Sequence, residues 1–169
     1  MITAQDVIAA LELKPLPIEG GYFRETYRAT EEIPAAGLPA RYGKNKASAS
    51  AIYYLLTADT FSALHRLPTD EIFHFYLGDP VLMLQLLPGG EGRFSTLGPE
   101  VLRGQCPQVV VPAGAWQGSY LVPGGNFALL GTTMAPAFDL ADYEAGDRAA
   151  LVGHYPAFAD EIERLTRQP

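Results

Sequence analysis

The sequence predicts a mostly β fold, a closed barrel or jelly roll, on three observations. Short runs of strand length recur through the middle of the chain, Gly and Pro turn signals separate them, and helix-period patterning is confined to the two ends. At the N-terminus, Thr3 with Asp6 three residues on has capping-box spacing. Val7, Ile8, Leu11 and Leu13 follow at helical intervals, so a helix of about ten residues is expected, stopped by Pro15 and Pro17. The stretch EGGYFRETYRA at 19–29 reads as a strand entered through a Gly-Gly turn, and 31–46, rich in Pro, Gly and charge, reads as a loop.

The strand-like runs are AIYYLL at 51–56, FSALH at 61–65, EIFHFYL at 71–77, VLMLQLL at 81–87, QVVVP at 108–112 and FALLGTTM at 127–134. Gly78-Asp79-Pro80, Pro88-Gly89-Gly90, Pro112-Ala113-Gly114 and Pro123-Gly124-Gly125 punctuate them. Beyond Phe138, the residues Asp139, Leu140, Tyr143 and Leu151 suggest irregular or helical covering structure. Phe158, Ile162 and Leu165 then share one face of a terminal helix, with Arg164 and Arg167 near its C-terminal end. One domain over residues 1–169 is expected, its barrel core at about 19–135 and a covering segment at 136–169.

Composition narrows the function classes. A chain of 169 residues buries a core without disulfides, and its one cysteine, Cys106, has no partner within the chain, which suits a reducing compartment such as the cytoplasm. The start MITAQDVIAALELKP has no basic n-region and does not read as a signal peptide. No apolar run reaches the length of a membrane span, so no membrane partner is expected. A net charge of −7 without a basic cluster argues against nucleic acid.

Two of the three histidines, His65 and His74, bracket Glu71 in strand-turn-strand sequence. The turn Arg66-Leu67-Pro68-Thr69-Asp70 lets His65 end one strand and Glu71 begin the next, and antiparallel pairing of the two would bring the side chains together on one face. Strand parity puts Glu71, Phe73, Phe75 and Leu77 on one side and Ile72, His74 and Tyr76 on the other. His74, carried as a candidate ligand contact, therefore faces away from Glu71 unless a β-bulge intervenes. The same parity sets Tyr22, Arg24 and Thr26 against Phe23, Glu25 and Tyr27, so at most one set lines a pocket.

These residues resemble the cupin superfamily, whose first motif has the general form G(X)5HXH(X)3-4E(X)6G. His65, Glu71 and Gly78 match its first His, its Glu and its closing Gly, while Leu67 stands where the second His belongs. The second motif keeps its Pro-X-Gly turn at Pro112-Ala113-Gly114, and Gln117 replaces its His. The resemblance implies a cupin jelly-roll barrel, a double-stranded β-helix, with an N-terminal helix and C-terminal helical elements, and a homodimer with an edge strand near the N-terminus pairing across the interface. Its metal is held by three His and one Glu, of which two survive. No cofactor is therefore expected, and a divalent metal on His65, Glu71 and Gln117 is the minor alternative.

The chain is also similar to the cupin type-five group, largely without assigned function, through Glu19-Gly20-Gly21-Tyr22-Phe23-Arg24-Glu25-Thr26-Tyr27, Ile52-Tyr53-Tyr54-Leu55-Leu56, His65-Arg66, Asp70-Glu71-Ile72, Val111-Pro112-Ala113-Gly114 and Phe138-Asp139. More distantly, Gly21 to Thr26 and Ser62-Ala63-Leu64-His65 resemble dTDP-4-dehydrorhamnose 3,5-epimerases and put His65 on their catalytic base. The Arg of that motif is Ser62 here, and Glu71 replaces a lysine, so their nucleotide-sugar substrate is not carried over.

The expected function is binding of a small molecule. In one reading the protein is an isomerase or epimerase acting on a sugar-like or oxygen-rich metabolite, with His65 as base, Glu71 as its partner, and Gln117 or Arg24 positioning substrate. In the alternative it is a non-catalytic binder that has lost the metal, and a metal-dependent enzyme is the third reading. Tyr22, Tyr53, Phe73, Phe75 and Trp116 are candidate pocket walls.

Overall fold

A computed structural model describes residues 2–167. The chain opens with α1 (Ala4–Ala10), where the Thr3 hydroxyl accepts from the Asp6 amide at 3.2 Å and the Asp6 carboxylate accepts from the Thr3 amide at 2.9 Å. The helix is seven residues long and ends before the prolines, because Glu12 turns the chain with a left-handed φ of 52°.

Thirteen strands follow among the described residues: β1 (Lys14–Pro15), β2 (Tyr22–Arg28), β3 (Glu32–Ile33), β4 (Lys46–Ala47), β5 (Ser50–Thr57), β6 (Phe61–Arg66), β7 (Glu71–Gly78), β8 (Val81–Leu86), β9 (Gly92–Leu97), β10 (Gln108–Val111), β11 (Trp116–Leu121), β12 (Phe127–Met134) and β13 (Glu144–Ala145). They form a six-stranded sheet in the order β1-β2-β5-β12-β7-β10 and a five-stranded sheet in the order β13-β6-β11-β8-β9, with a separate β3-β4 ribbon. This is the expected jelly roll. Neither β9 nor β11 was among the runs read from sequence: the edge strand β9 carries Arg93, Ser95 and Thr96, and β11 is interrupted by Gln117, Gly118 and Ser119, so both lack an apolar signature.

Period-two alternation divides the apolar residues into three layers. Tyr54, Leu56, Phe73, Val81, Met83, Leu121 and Leu130 meet between the sheets. Leu64, Leu84, Leu86 and Tyr120 face outward from the smaller sheet and are covered by Leu151 and Tyr155 around α2 (Arg148–His154) and by Ile162 and Leu165 of α3 (Ala159–Leu165). Leu55, Phe127 and Leu129 face outward from the larger sheet against Ala4 and Val7 of α1. The terminal helices thus cover apolar faces that the strand pattern leaves exposed.

The stretch 31–46 is tied down rather than free. Its buried Lys46 pairs with Asp142 and, at 3.6 Å, with Asp139, while Lys44 reaches Asp139 at 2.6 Å. These pairs anchor the covering segment, and Asp139 is held down at about 2, first by Lys44 and then by the Ala141 amide. From there the chain crosses β6: Glu144 pairs with Arg66, Ala145 with His65, and the Gly146 amide donates to the Leu64 carbonyl at 2.7 Å. That crossing closes the barrel over His65.

Candidate functional site

His65, Glu71 and Gln117 meet through the topology of the two sheets. The strands β6 and β7 lie in different sheets and do not pair as parity reasoning expected, since each is recruited by other neighbours: β6 by β11 and β13, β7 by β10 and β12. Gln117 stands directly opposite His65 in the β6–β11 register. Its amide nitrogen donates to a Glu71 carboxylate oxygen in a short hydrogen bond and lies 3.3 Å from His65 Nε2. All three side chains are buried.

A β-bulge sets the interior face of β6. Register runs from Ser119 opposite Ser62 to Gln117 opposite His65, so three steps on β6 match two on β11. The extra residue turns both Ser62 and His65 inward, where strict alternation would separate them. Besides Gln117, two contacts orient the His65 ring. Its Nδ1 lies 2.7 Å from the Ala63 carbonyl, which can only accept, so Nδ1 carries the proton and the neutral ring presents a lone pair at Nε2. Tyr143 stacks on the ring at 5.0 Å between centroids, held by its phenol donating to the Ile18 carbonyl at 3.0 Å. Burial, aided by the Glu19 charge, pushes that phenol up to about 12.

Glu19 is the residue that sequence reasoning missed. Its Oε2 lies 3.9 Å from His65 Nε2, and its Oε1 accepts from Ser62 at 2.6 Å. The Gly20-Gly21 turn delivers it: Gly20 has φ 117°, and a Cβ there would sit 2.1 Å from the Phe61 carbonyl oxygen. Hydrogen bonds to the turn's carbonyls lock the approach, from the Ala63 amide to the Glu19 carbonyl at 2.9 Å and from the Tyr54 hydroxyl to the Gly20 carbonyl at 3.0 Å. The signal in the sequence was the Gly-Gly pair, which marks a close backbone approach.

Glu71 is pushed up to about 7, chiefly by burial and next by the Glu19 charge, against the opposing pull of His65, Thr132 and Gln117. Glu19, His65, Glu71 and Thr132 border an enclosed cavity of about 70 Å³ whose remaining wall is largely apolar, from Leu16, Phe23, Ile52, Leu67, Met134 and Phe138; Gln117 stands behind His65 and Glu71. That is room for several waters or a small organic group. A larger hollow of about 610 Å³ lies outside the barrel between α1 and Tyr53, Tyr76 and Leu129; it is open and apolar, and its one acid, Asp6, caps α1. The clustered titratable side chains therefore border the smaller cavity.

Several expected contacts lie elsewhere. Tyr22 and Tyr53 pack outward toward α1, and Arg24 sits on that face with Glu12 at 3.5 Å and over the Tyr53 ring at 5.6 Å, because β2 turns Phe23 and Glu25 inward instead. Trp116 also faces outward, one residue from the inward Gln117, with Arg66 over its ring at 4.6 Å. His74 faces away from Glu71, as parity indicated, between Thr133 at 3.2 Å and Gln108 at 3.3 Å. Phe73 and Phe75 point inward but belong to the barrel core. Leu77 leaves the interior face because a register shift at Leu129/Leu130 leaves Tyr76 unpaired, and it packs toward α1.

Comparison with known proteins gives the architecture a family. The family model described as Cupin superfamily (DUF985) matches residues 5–146. The chain belongs to this family. Among solved structures, this cupin is similar to protein SO0799 from Shewanella oneidensis, at 32% identity over the whole of both chains with a TM-score of 0.87. A hypothetical protein from Leishmania major is 28% identical, with 99% of this chain and 100% of that one covered and a TM-score of 0.89. Uncharacterized protein YML079W of Saccharomyces cerevisiae is 29% identical over 135 residues, 74% of this chain; the match spans 66% of the yeast protein.

The donor set of this cupin does not fit the three-His, one-Glu metal of the superfamily. Leu67 presents a hydrocarbon to the cavity, and Gln117 turns its amide donors toward Glu71 and His65. Among the described residues no group of three or more His, Cys, Asp or Glu is placed to hold a metal ion. No helix among them is long and apolar enough to cross a membrane.

Proposed function

We propose that this cupin binds a small organic molecule at His65 and moves a proton on it, as an isomerase or epimerase acting beside a carbonyl. One observation carries the reading: the Ala63 carbonyl holds the proton on Nδ1, leaving the His65 Nε2 lone pair as the base at an enclosed cavity. Glu71, close to half-protonated at neutral pH, supplies or receives the second proton, and Gln117 bridges the two groups. A ligand that displaces the Gln117 amide from Nε2 exposes the base to its C–H bond. The size of the cavity favours a compact metabolite over a nucleotide-sugar.

Incubating the protein with small α-hydroxy and α-amino carbonyl compounds in deuterated water, followed by proton NMR, tests this. Exchange at the α-carbon is expected, falling by roughly a hundredfold or more in His65→Ala. Undiminished exchange in that variant sinks the role of His65. Saturable binding without exchange by any compound yields the second reading, a non-catalytic ligand carrier, which the Gln117 bond already satisfying Nε2 favours.

We also propose a homodimer, formed through the outer face of the larger sheet where Tyr76 and Val110 stand exposed. The N-terminal edge, β1, is short and ends in Pro15, a poor template for strand addition. Sedimentation equilibrium should return twice the chain mass, and Tyr76→Glu should return it to the monomer; a monomeric parent protein overturns the proposal. The single unpaired cysteine fits a reducing compartment, the cytoplasm.

A further inference from the structure

The charges around the cavity have one sign. Glu19, Glu25 and Glu71 line it together with His65, and neither a Lys nor an Arg is among the residues that form its wall. Glu25 is neutralised by a bidentate pair with Arg28, at 2.7 Å for the closest contact. Lys46 is committed to Asp139 and Asp142, and Arg24, the cation that sequence reasoning offered to a substrate carboxylate, is on the outer face. That leaves two carboxyl groups, Glu19 and Glu71, converging on one imidazole.

Two carboxylates in an enclosed apolar setting are costly without a counter-charge. The site answers by holding Glu71 partly protonated, through burial first and the Glu19 charge next. Deeper on the interior face of β11, opposite the Ser62 that binds Glu19, lies Ser119. Its hydroxyl is buried with no hydrogen-bond partner among the described residues, a donor and acceptor that the protein does not use. An anionic ligand would add a third negative charge to this space. A cation would meet two carboxyl groups there, and Arg167 beside the Gly20 turn is directed to the Pro17 carbonyl rather than to the cavity wall.

We propose that the cavity selects a small cationic group, of the ammonium or amidinium class, seated between Glu19 and Glu71. The assignment rests on the reading of this cavity as the ligand site, and it names the ligand's charge. In the proton-transfer reading, a positive group on the substrate also lowers the cost of the carbanion that forms when His65 takes the proton. Binding draws Glu71 into its ionised form and so releases a proton. The groups facing Glu71 are Glu19 from the turn before β2, His65 from β6, Gln117 from β11 and Thr132 from β12; Tyr54 and Tyr143 stay protonated, raised by burial.

Ethylammonium, ethanol and acetate, similar in size and different in charge, serve as probes in calorimetric titrations of the full chain at constant ionic strength. Ethylammonium is expected to bind saturably and the other two at least about tenfold more weakly, with affinity for the cation rising from about pH 6 to about pH 8. Its heat should vary with the ionisation enthalpy of the buffer, reporting proton release in the unmodified protein. Glu19→Gln and Glu71→Gln should each weaken it by about tenfold or more, while Glu12→Gln on the outer face leaves it unchanged. Acetate or ethanol binding as tightly as ethylammonium overturns the proposal, as does cation binding indifferent to both cavity variants. Loss of the cation preference with His65-dependent exchange retained would overturn this charge assignment alone.

Discussion

Gly20→Ala should reduce the stability of the fold by roughly 3–5 kcal/mol, combining the strain of a left-handed position with backbone overpacking. The methyl group would meet the Phe61 carbonyl at 2.1 Å with φ at 117°, and the obstacle is main chain rather than a side-chain end able to swing away. Urea unfolding should show the midpoint falling with the slope unchanged. Gly43→Ala is the matched comparison, since Gly43 also has positive φ but nothing within 4 Å of its added Cβ, and about 1 kcal/mol is expected there. Equal losses at the two positions would mean that the turn does not press against β6 as described. Gly20→Ala that remains folded should also lose His65-dependent exchange, because Glu19 is carried by the same turn.

Glu71→Gln is expected to stabilise the protein in alkaline buffer and to do little in acid. Folding raises this carboxyl from 4.5 to about 7, so the folded state favours the protonated form. That contribution is complete below about pH 4.5 and is lost as pH rises through about 7, a difference of roughly 3 kcal/mol between the extremes. A neutral amide keeps the protonated shape at all pH, and Gln117 can turn its own amide over to match it. The stability difference between variant and parent should therefore grow from near zero at about pH 4.5 to roughly 2–3 kcal/mol at about pH 8. Comparing the two proteins cancels the opposite trend from groups such as Asp139. A variant less stable than its parent at about pH 8 would show that Glu71 is ionised and satisfied in the fold.

The legible part of the site was local. His65 and Glu71 stood out as polar residues in runs otherwise fit for burial, and the Pro112–Gly114 turn marked Gln117 through the cupin resemblance, although the strand that carries it was not among the runs read. The aromatic and cationic candidates were less legible, because Tyr22, Arg24, Tyr53 and Trp116 all sit on strands whose inward parity depends on neighbours elsewhere in the sheet. Arg24 looked like a substrate clamp until α1, packed across that face, brought Glu12 to it.

By itself the sequence determined the mostly β class, the capped first helix, six of the strand runs, the covering role of the C-terminal segment and the buried polar residues around which the site forms. These depend on period-two alternation, turn chemistry and capping, all of which act over a few residues. Only the tertiary structure decided that β6 and β7 occupy different sheets, that a bulge turns Ser62 and His65 the same way, and that Glu19 joins them. Each of those depends on which strands become neighbours and how closely two backbones approach, and that is set by the packing of the whole barrel.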